Sequence, residues 1–481
     1  MKDAYLIFDI GTGNSRAAVI GADGELLALA REDSVYHEDP DFDSSLYFDP
    51  DEWIPTLREL VHKALEDAPQ AHIIAVSASS QRQGIVLIGK DGRTLRGFPN
   101  CDMRGAAYVD GLDWKRIREL TGLDPDGFYS CMKIRGTQKR QPELAEKIGT
   151  YTSISDWVGY LCTGKVVWER AQTAHTLVYD IHTDGWSQEL CELMQMDPAL
   201  LPPIALAGTV LGPVKPELIR EFGLDEHAVF VVGAADTQLG LVGVQAEKGD
   251  VVAVNGTTTP ITMVLDHWRE VPFWISPHAE AGEYMLEVNC GATGINVQRL
   301  KDKLLSQYSY EELERRAKEK GLPKMLAMFS EQYQVPGELC TNVGFLFEEE
   351  IEMSLEPCDF MHAMFLDVAF QIVSNYRHIT ALEPSGKSYL LGCGGGFRNS
   401  ITPQAVADLL GIEVRLPKGF DQASLYGCLH LCNRALGRER LPQAMLRVYE
   451  PQENPALRRY HEKWLAYRSR MCQMNDLAVI H

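Results

Sequence analysis

A carboxylate stands inside the first apolar run of the chain and is followed at once by a glycine-rich polar turn. The run covers residues 5–10, the carboxylate is Asp9, and the turn at 11–16 reads Gly-Thr-Gly-Asn-Ser-Arg. Apolar runs at 17–20 and 26–29 follow, separated by an Asp-Gly pair, which predicts three successive strands with tight turns. A buried charge is costly unless it is paired or meets a cation. The stretch therefore predicts either a phosphate-holding turn with Asp9 beside a metal, or a plain strand turn with a capped aspartate.

The turn carries the residue types that hold phosphate oxygens. Gly11 and Gly13 let a ligand approach the backbone closely, and the other positions bring short polar groups or a fixed positive fork: Thr12, Asn14, Ser15 and Arg16. Two other glycine motifs do not match. A dinucleotide fingerprint needs a third glycine where Arg16 stands, and the Gly-Lys-Ser at 386–388 lacks the first glycine of a P-loop, because that position is Ala381.

Composition limits the classes of partner. The 481 residues predict two or more domains. A formal net charge of -21 argues against nucleic acid or an anionic membrane as a partner, although a local basic group with Mg²⁺ can still bind phosphate. No apolar run is long enough to span a membrane, and the first residues lack a signal-peptide pattern. The 11 cysteines have no metal-ligand spacing, which predicts reduced thiols and a cytoplasmic protein.

Apolar periodicity predicts the larger elements. A helix is expected at 51–65, with Asp49 as its cap and Pro50 at its first position. Further strands are expected at 72–79, 84–88, 228–233, 251–254 and 388–391, and further helices at 360–378, 402–410 and 421–435. Residues 110–186 mix helices and loops, which is typical of an insertion, and 457–477 is predicted to be a mostly exposed helical tail.

The opening pattern has an echo near the middle of the chain. Residues 253–264 (AVNGTTTPITMV) have the form of residues 8–19 (FDIGTGNSRAAV), with Gly256 and Thr257 in the turn and Val254 in place of Asp9. A repeat at about half the chain length favours two related lobes that hold phosphates between them, although two similar hairpins could also arise by coincidence.

A third glycine-rich turn follows the strand predicted at 388–391. It reads GCGGGFRNS over residues 392–400 and leads into a predicted helix. Glycines between a strand and a helix admit a flat ring or a phosphate close to the backbone. Close packing of the strand on the helix is the alternative interpretation.

Seven motifs, taken together, resemble the FGGY carbohydrate kinases in order and spacing over nearly the whole chain. They are DIGTG at 9–13, SSQRQG at 79–84, NCDMRG at 100–105, SISDWVGYLCTGK at 153–165, GAADTQLG at 233–240, NGTTT at 255–259 and GCGGGFRNS at 392–400. The resemblance is strongest to autoinducer-2 kinases and nearby uncharacterised sugar kinases. It implies an α/β fold of two ribonuclease-H-like, actin–hexokinase-like lobes with a catalytic cleft between them.

The resemblance also implies roles for particular residues. Asp236 matches the base that takes the proton of a sugar hydroxyl, although an aspartate at a helix start is equally suited to be a cap. Asp9 matches the aspartate associated with Mg²⁺. The ATP-binding positions are matched by Thr12, Gly13, Asn14, Ser15, Arg16, Gly256, Thr257, Gly394, Gly395, Gly396 and Asn399.

The sugar site is expected around Gln81, Arg82, Gln83, Asp102 and Asp236. Arg82 resembles the arginine with which glycerol kinases hold substrate hydroxyls, and a surface pair with Asp102 is the alternative for it. Two departures leave the sugar open between ketoses, polyols, sugar acids and autoinducer-like compounds. Gln83 replaces the glutamate of glycerol kinases, and residues 358–370 replace a glycine-rich signature, with Asp367 near its usual glutamate.

We therefore predict an ATP- and Mg²⁺-dependent kinase for a small-molecule sugar. Residues 1–245 are expected to form the lobe with the sugar site and the base, and 246–481 the ATP-binding lobe with its helical tail. A homodimer is among the expectations. The alternatives are a nucleotide-binding interaction protein on the same fold and a degenerate kinase that only senses sugar, which would have lost Asp9 or Asp236.

Overall fold

The computed structural model describes residues 2–332, 335, 338–341, 343–347 and 354–474. Its strands are β1 Lys2–Ile10, β2 Asn14–Gly21, β3 Leu26–Asp33, β4 His37–Glu38, β5 Leu46–Tyr47, β6 Ala71–Ser80, β7 Ile85–Gly89, β8 Thr94–Phe98, β9 Ile148–Ser153, β10 Trp168–Glu169, β11 Tyr179–Asp180, β12 Gly185–Trp186, β13 Ile204–Ala205, β14 Val210–Pro213, β15 Val229–Ala235, β16 Val251–Val254, β17 Thr258–Leu265, β18 Trp274–Pro277, β19 Tyr284–Ala292, β20 Met325–Met328, β21 Gly344–Phe347, β22 Tyr389–Cys393, β23 Glu413–Pro417 and β24 Met445–Tyr449. Its α-helices are α1 Pro50–Asp67, α2 Trp114–Thr121, α3 Ser130–Arg140, α4 Pro142–Ala145, α5 Ile154–Thr163, α6 Arg170–Thr173, α7 Gln188–Met194, α8 Pro216–Phe222, α9 Asp236–Gly243, α10 Gly294–Leu304, α11 Tyr310–Lys320, α12 Pro357–Leu382, α13 Ile401–Leu410, α14 Ala423–Ala435 and α15 Pro455–Gln473.

The chain divides into two compact units. Unit 1 contains residues 1–243, 266–284 and 424–442, and unit 2 contains 244–265, 285–423 and 443–481. The first change of unit lies two residues before the boundary expected after residue 245. The two later segments of unit 1 lie inside the stretch that was expected to belong wholly to the second lobe. A boundary read along the chain cannot show that a later helix, here α14, returns to pack on the first unit.

Unit 1 is built on a six-stranded sheet with the order β14-β15-β6-β1-β2-β3. The strands β1, β2 and β3 are antiparallel neighbours, whereas β6 runs parallel to both β1 and β15. One face of this sheet packs against Trp53 and Leu57 of α1 and Trp157 of α5. The other packs against Leu239 of α9 and Leu425 of α14. The β1–β2 register places Asp9 opposite Arg16, so both side chains lie on the face covered by α14.

Unit 2 repeats this strand order. Its main sheet runs β19-β17-β16-β22-β23-β24, with β16 antiparallel to β17 and parallel to β22, and β22 parallel to β23. The strands β16 and β17 correspond to β1 and β2, so the structure confirms the echo between residues 253–264 and 8–19 as two copies of one strand-turn-strand unit. Each unit therefore has a ribonuclease-H-like sheet.

Most of the predicted elements are confirmed within a few residues. Asp49 caps α1 by accepting a hydrogen bond from the backbone N–H of Asp51, and Pro50 is the first helical residue. Residues 110–186, however, do not form an insertion. The strand β9 pairs with β7, and α5 packs on β6 and β15 within the core of unit 1. The sequence pattern did not predict this packing, because the strand β9 has only six residues and lies between two helical stretches.

The C-terminal helix α15 is mostly exposed, as predicted for the part of 457–477 that the structure describes, but it carries a buried stripe. Trp464 on this stripe donates its indole N–H to the Asp367 carboxylate over 3.1 Å. Asp367 also accepts hydrogen bonds from the backbone N–H of Phe329 and the hydroxyl of Ser330. Asp367 thus joins α12 to α15 inside unit 2. Among the described residues, we find no helix with the length and apolarity that crossing a membrane requires.

Candidate active site

Asp236 lies where β15 ends and α9 begins, in unit 1. Its Oδ1 accepts a hydrogen bond over 2.7 Å from the backbone N–H of the next residue, Thr237. No bond from Asp236 to a later N–H of α9 is seen in the part of the chain that the structure describes, as a helix cap would make. Desolvation by the surrounding protein raises the pKa of Asp236 to about 6. The positive charge of Arg82 acts to lower this pKa, and the negative charge of Asp9 acts to raise it. A carboxylate whose pKa lies near neutrality can accept a proton at physiological pH.

Arg82 follows the end of β6 and is half-buried. Ser80, two residues before Arg82, pairs with Ala235 next to Asp236, and the residue after Arg82, Gln83, contacts the His175 ring, so Arg82 lies near both side chains. Burial lowers the pKa of His175 well below its ordinary value, and the positive charge of Arg82 acts in the same direction. Asp9 pairs with Ser79 of β6, and Ser79 pairs with Ala234 of β15, so Asp9, Arg82 and Asp236 lie at the same end of three neighbouring strands. The sequence singles out all three residues.

Asp9 is buried and paired. Its Oδ2 lies 2.6 Å from a guanidinium nitrogen of Arg16 and accepts a hydrogen bond from the Ser424 hydroxyl over 2.9 Å. Ser15 does not join this group with its side chain. Ser15 pairs with Ile10 on the opposite face of the sheet, where it lines a cavity of about 330 Å³ together with Trp53. Successive side chains of a strand point to opposite faces of the sheet, so the Ser15 side chain points away from Asp9 and Arg16. Ser15 can therefore contribute only backbone groups to the site beside Arg16.

Gln81 connects the expected sugar segment to the phosphate turn. Its amide nitrogen donates to the Gly11 carbonyl and to the Tyr36 hydroxyl, and its amide oxygen accepts from the backbone N–H of Asn100 over 2.9 Å. The Thr12 hydroxyl donates to the side chain of the same Asn100 over 3.1 Å. Gln81 is 1% exposed, so its hydrogen bonds serve to position the surrounding loops.

Gln83 forms a second polar group with two residues that the sequence analysis missed. Its backbone has a φ of +60°, which is rare outside glycine, and its amide nitrogen lies 3.1 Å from Nδ1 of His175. The ammonium group of the fully buried Lys133 donates to the Gln83 carbonyl over 2.7 Å. His175 and Lys133 lie outside the quoted motifs, and no spacing in the sequence links them to Gln83.

Asp102 is fully buried and already has partners. One carboxylate oxygen accepts from Nε of Arg104 over 2.8 Å, and the other accepts from the backbone N–H of Leu46 over 3.0 Å. Arg104 also contacts the Asp39 carboxylate over 3.2 Å. The partner of Asp102 is thus Arg104, two residues away, and not the Arg82 that the surface-pair interpretation required.

In unit 2, Asn255 organises both glycine turns. It is 2% exposed, its backbone N–H donates to the Cys393 carbonyl, and its own carbonyl accepts from the N–H of Gly396 over 2.8 Å. The turn residues next to it, Gly256 and Thr257, are partly and largely exposed, respectively. Gly394 and Gly396 therefore lie against Asn255 of the neighbouring turn, and this close approach accounts for part of the glycine run.

Asn399 closes the glycine run at its other end. Its amide nitrogen donates to the Gly396 carbonyl over 2.7 Å, and its amide oxygen accepts from the backbone N–H of Thr402 at the start of α13. The middle glycine, Gly395, is exposed and would have no atom near an added Cβ. The backbone of Gly395 is thus open to solvent and accessible to a ligand.

The glycines of this run should differ sharply in their tolerance of a methyl group. Gly394 has a φ of +97°, and a Cβ there would overlap the Asn255 carbonyl, whereas at Gly395 nothing lies within 4 Å. We expect Gly394→Ala to reduce the free energy of unfolding by about 2 kcal/mol or more and to weaken ATP binding at least tenfold. Gly395→Ala is the matched control for stability, because a Cβ there would meet no other atom of the protein. Calorimetric titration with ATP tests the binding of Gly394→Ala, and thermal unfolding compares both variants. An equal loss of stability in the two would contradict the expectation.

The fold of this protein matches that of a solved structure. A ligand-bound xylulose kinase from Lactobacillus acidophilus has the same fold, with a TM-score of 0.82 at 19% identity over 99% of both chains. Both proteins have the two-domain actin–hexokinase-like fold.

The sequence relatives identify the family. The N-terminal domain of the FGGY family of carbohydrate kinases matches residues 4–243, and the C-terminal domain matches 240–436. YoaC from Bacillus subtilis strain 168, which carries a provisional sugar-kinase name, is 35% identical over 468 residues, or 96% of each chain. An autoinducer-2 kinase from Yersinia enterocolitica is 27% identical over 470 residues, covering 89% of this chain and 85% of its own. The chain belongs to the FGGY family of carbohydrate kinases.

Membership defines the reaction type. The protein is a phosphotransferase that moves a phosphoryl group from ATP to an alcohol group of a small-molecule sugar. The comparisons confirm the predicted family, fold and enzyme class, and they do not favour the non-catalytic alternatives.

Proposed function

We propose that Asp236 is the general base of this transfer and that Arg82 holds the sugar. The observation that carries the proposal is the grouping of Arg82 and Asp9 around an aspartate whose pKa lies near 6 at the end of a strand. Ligands of open α/β sheets bind at such strand ends. A helix cap alone would gain nothing from a raised pKa, because a cap acts best as an ionised carboxylate.

In the proposed step, a sugar hydroxyl gives its proton to the Asp236 carboxylate while its oxygen attacks the γ-phosphorus of ATP. A new oxygen–phosphorus bond forms, the bond between the γ-phosphorus and its bridging oxygen breaks, and ADP leaves. Such transfers depend on positioning and charge neutralisation more than on covalent chemistry. Arg16 and the backbone N–H groups of residues 11–16 would supply positive charge to the phosphates. In unit 2, residues 256–257 and 394–396 would contact the nucleotide with their backbone.

We assign supporting roles to two of the predicted sugar-site residues. The Gln81 amide uses both of its N–H donors on Gly11 and Tyr36 and accepts from the backbone N–H of Asn100. The Asp102 carboxylate is paired with Arg104. Both are almost entirely buried. We propose that they shape the loops around Arg82 and Gln83 and that the sugar contacts the latter two.

The residues of unit 1 are suited to a Mg²⁺ ion that is held with the nucleotide. Mg²⁺ keeps several waters and usually takes one or two carboxylates plus substrate phosphates. Among the described residues, no group of three or more potential metal ligands occurs, so a closed all-protein site is not built there. Asp9 and Asp236 are two neighbouring carboxylates, and we propose that Asp9 holds the ion through its waters. The bound ion would neutralise charge on the phosphates.

Changing Asp9 to asparagine should expose this role. We expect Asp9→Asn to raise the Mg²⁺ concentration needed for half-maximal activity at least tenfold, because a neutral amide binds a hard cation far more weakly than a carboxylate. Binding of metal-free ATP should change only a few-fold. Ser424→Ala is the matched control, since it removes a hydrogen bond from Asp9 but leaves the charge. An unchanged Mg²⁺ dependence in Asp9→Asn would contradict the assignment.

A substrate screen tests the proposed function itself. The screen would measure ADP formation with ketoses, polyols, sugar acids and autoinducer-2, the last because of the autoinducer-2 kinase among the relatives. Sugar-dependent ADP formation that Asp236→Asn abolishes would support the proposal, and ADP formation unaffected by that change would contradict it. A homodimer and a cytoplasmic location stay predictions of the sequence.

A further inference from the structure

His175, near Arg82, carries a polar atom to which the proposed phosphoryl transfer assigns no role. Nε2 of His175 is buried and has no hydrogen-bond partner among the residues that the structure describes. The whole side chain is 1% exposed. Buried polar atoms in proteins are almost always satisfied by protein, water or ligand, so an unsatisfied one next to a substrate-binding candidate indicates a contact still to be made.

The His175 ring is held in one orientation from several sides. The Gln83 amide nitrogen donates to Nδ1 over 3.1 Å, and the Tyr129 ring lies parallel to the imidazole at an interplanar angle of 11°. The backbone carbonyl of His175 accepts from the Ser130 hydroxyl over 3.3 Å. Gln83 is in turn fixed by Lys133, which donates to its carbonyl. The position of Nε2 is therefore set by the fold before any ligand arrives.

The orientation also sets the tautomer. Full burial and the nearby Arg82 charge lower the pKa of His175 well below its ordinary value, so the ring is neutral at physiological pH. A neutral imidazole has one donor and one acceptor nitrogen. Since Nδ1 accepts from the Gln83 amide, the proton resides on Nε2. His175 therefore offers an N–H donor at a site where Arg82 also has only donors.

Arg82 connects this donor to the reacting group. It lies between Ser80, which pairs with Ala235 next to Asp236, and Gln83, whose amide contacts the His175 ring. A sugar held by Arg82 with one hydroxyl at Asp236 would thus have another part near His175. This step rests on the proposed function, because it takes Asp236 and Arg82 as the groups that contact the sugar.

We propose that His175 is a specificity-determining residue whose Nε2–H donates to a carbonyl or carboxylate oxygen of the sugar. Such an oxygen accepts from both Arg82 and His175 with its lone pairs. A hydroxyl group in the same place would bring a proton of its own that needs an acceptor. The preferred substrate is therefore a ketose or a sugar acid, and the corresponding polyol is a poor substrate.

Matched substrates and matched variants test this proposal. We would measure kcat/KM for xylulose against xylitol and for gluconate against glucitol, in the wild type, His175→Phe and His175→Asn. His175→Phe keeps a flat ring against Tyr129 but has no donor, whereas His175→Asn keeps a donor. For at least one pair, the wild type should favour the acceptor-bearing member at least tenfold. His175→Phe should lose about tenfold to a hundredfold on that member and little on the polyol, and His175→Asn should recover part of the loss.

The outcomes separate specificity from packing. An equal loss on both members of the pair, with ATP binding retained, would mean that His175 only packs and would overturn the proposal. A wild type that prefers the polyol would also overturn it. If the wild type turned over no sugar of the wider screen, the proposed function would fall, and the proposal about His175 with it.

A spectroscopic measurement is independent of turnover. With ¹⁵N-labelled histidine, the resonances lost in His175→Phe identify this ring. We expect the pattern of a neutral ring protonated at Nε2, and a shift of that Nε2 resonance when the preferred sugar is added. A ring protonated at Nδ1, or an Nε2 resonance unaffected by saturating sugar, would contradict the donor role.

Discussion

Asp236→Asn is expected to lower kcat for sugar phosphorylation by about 10² to 10⁴, which is the usual effect of removing a general base. ATP binding should stay within a few-fold of the wild type. Asparagine has the size of aspartate, and its carbonyl can still accept the hydrogen bond from the Thr237 backbone N–H. The substitution therefore removes the proton acceptor and leaves this local contact at the start of α9. Rapid-quench measurement of a single turnover would test the chemical step directly.

The pKa of Asp236 adds a pH dependence with a definite sign. The base must be ionised, and burial raises its pKa to about 6. Thus kcat/KM for the sugar should fall about tenfold per pH unit below pH 6 and level off above it. In the unfolded chain this carboxyl ionises near its ordinary pKa of 3.8, so the wild type loses stability as the pH rises from about 4 to about 6. Asp236→Asn should be more stable than the wild type at pH 8, by on the order of 3 kcal/mol.

These two results distinguish a base from a cap. A pure cap would show turnover near the wild-type rate in Asp236→Asn and no break in the pH profile near 6. Thr237→Ala serves as a control, because it removes the neighbouring hydroxyl contact of Asp236 but keeps its carboxylate. We expect Thr237→Ala to retain most of the activity.

Arg82→Ala is expected to lower kcat/KM for the true sugar by on the order of a hundredfold. Two charge-assisted hydrogen bonds to a substrate contribute roughly 3 kcal/mol, and the loss of transition-state binding converts to that fold-change. KM for ATP should stay nearly constant, because the nucleotide is assigned to other loops. Steady-state kinetics with each substrate varied in turn separates the two effects.

A surface arginine provides the comparison for Arg82. Arg116 is exposed and paired with Glu189 over 2.6 Å, and an exposed pair of this kind contributes at most about 1 kcal/mol. Arg116→Ala should therefore leave kcat/KM unchanged within error. A loss below about fivefold in Arg82→Ala, with the fold intact by circular dichroism, would assign Arg82 to a structural role instead.

Local features of this protein could be predicted because they depend on residues close together in the chain. The hairpin of β1 and β2, the cap of α1 by Asp49 and the echo of the opening unit in β16 and β17 all follow from patterns a few residues long. The hairpin register by itself sets Asp9 opposite Arg16. Family motifs carried by such local patterns placed Asp236 and Arg82 at strand ends, where the structure also has them.

Side-chain partnerships between distant segments could not be predicted. The sequence treats Gln81, Gln83 and Asp102 alike as polar residues in quoted motifs. In the structure, these residues differ. Gln81 is hydrogen-bonded to Asn100 and Tyr36, and Asp102 is paired with Arg104. Gln83, in contrast, orients a histidine 92 residues later in the chain. Whether a polar side chain is free to bind a ligand depends on which groups surround it, and that is a property of packing.

The sequence alone determined that the chain forms two related α/β units with glycine-rich turns, because strand, turn and cap preferences act over one to four residues. Tertiary structure decided that α14 returns to unit 1, that Ser15 points away from Arg16, and that Asn255 supports the glycine run of residues 394–396. It also decided the state of His175. Its neutrality and the proton on Nε2 come from burial, Arg82 and Gln83, and a desolvation energy exists only once the surrounding segments have packed.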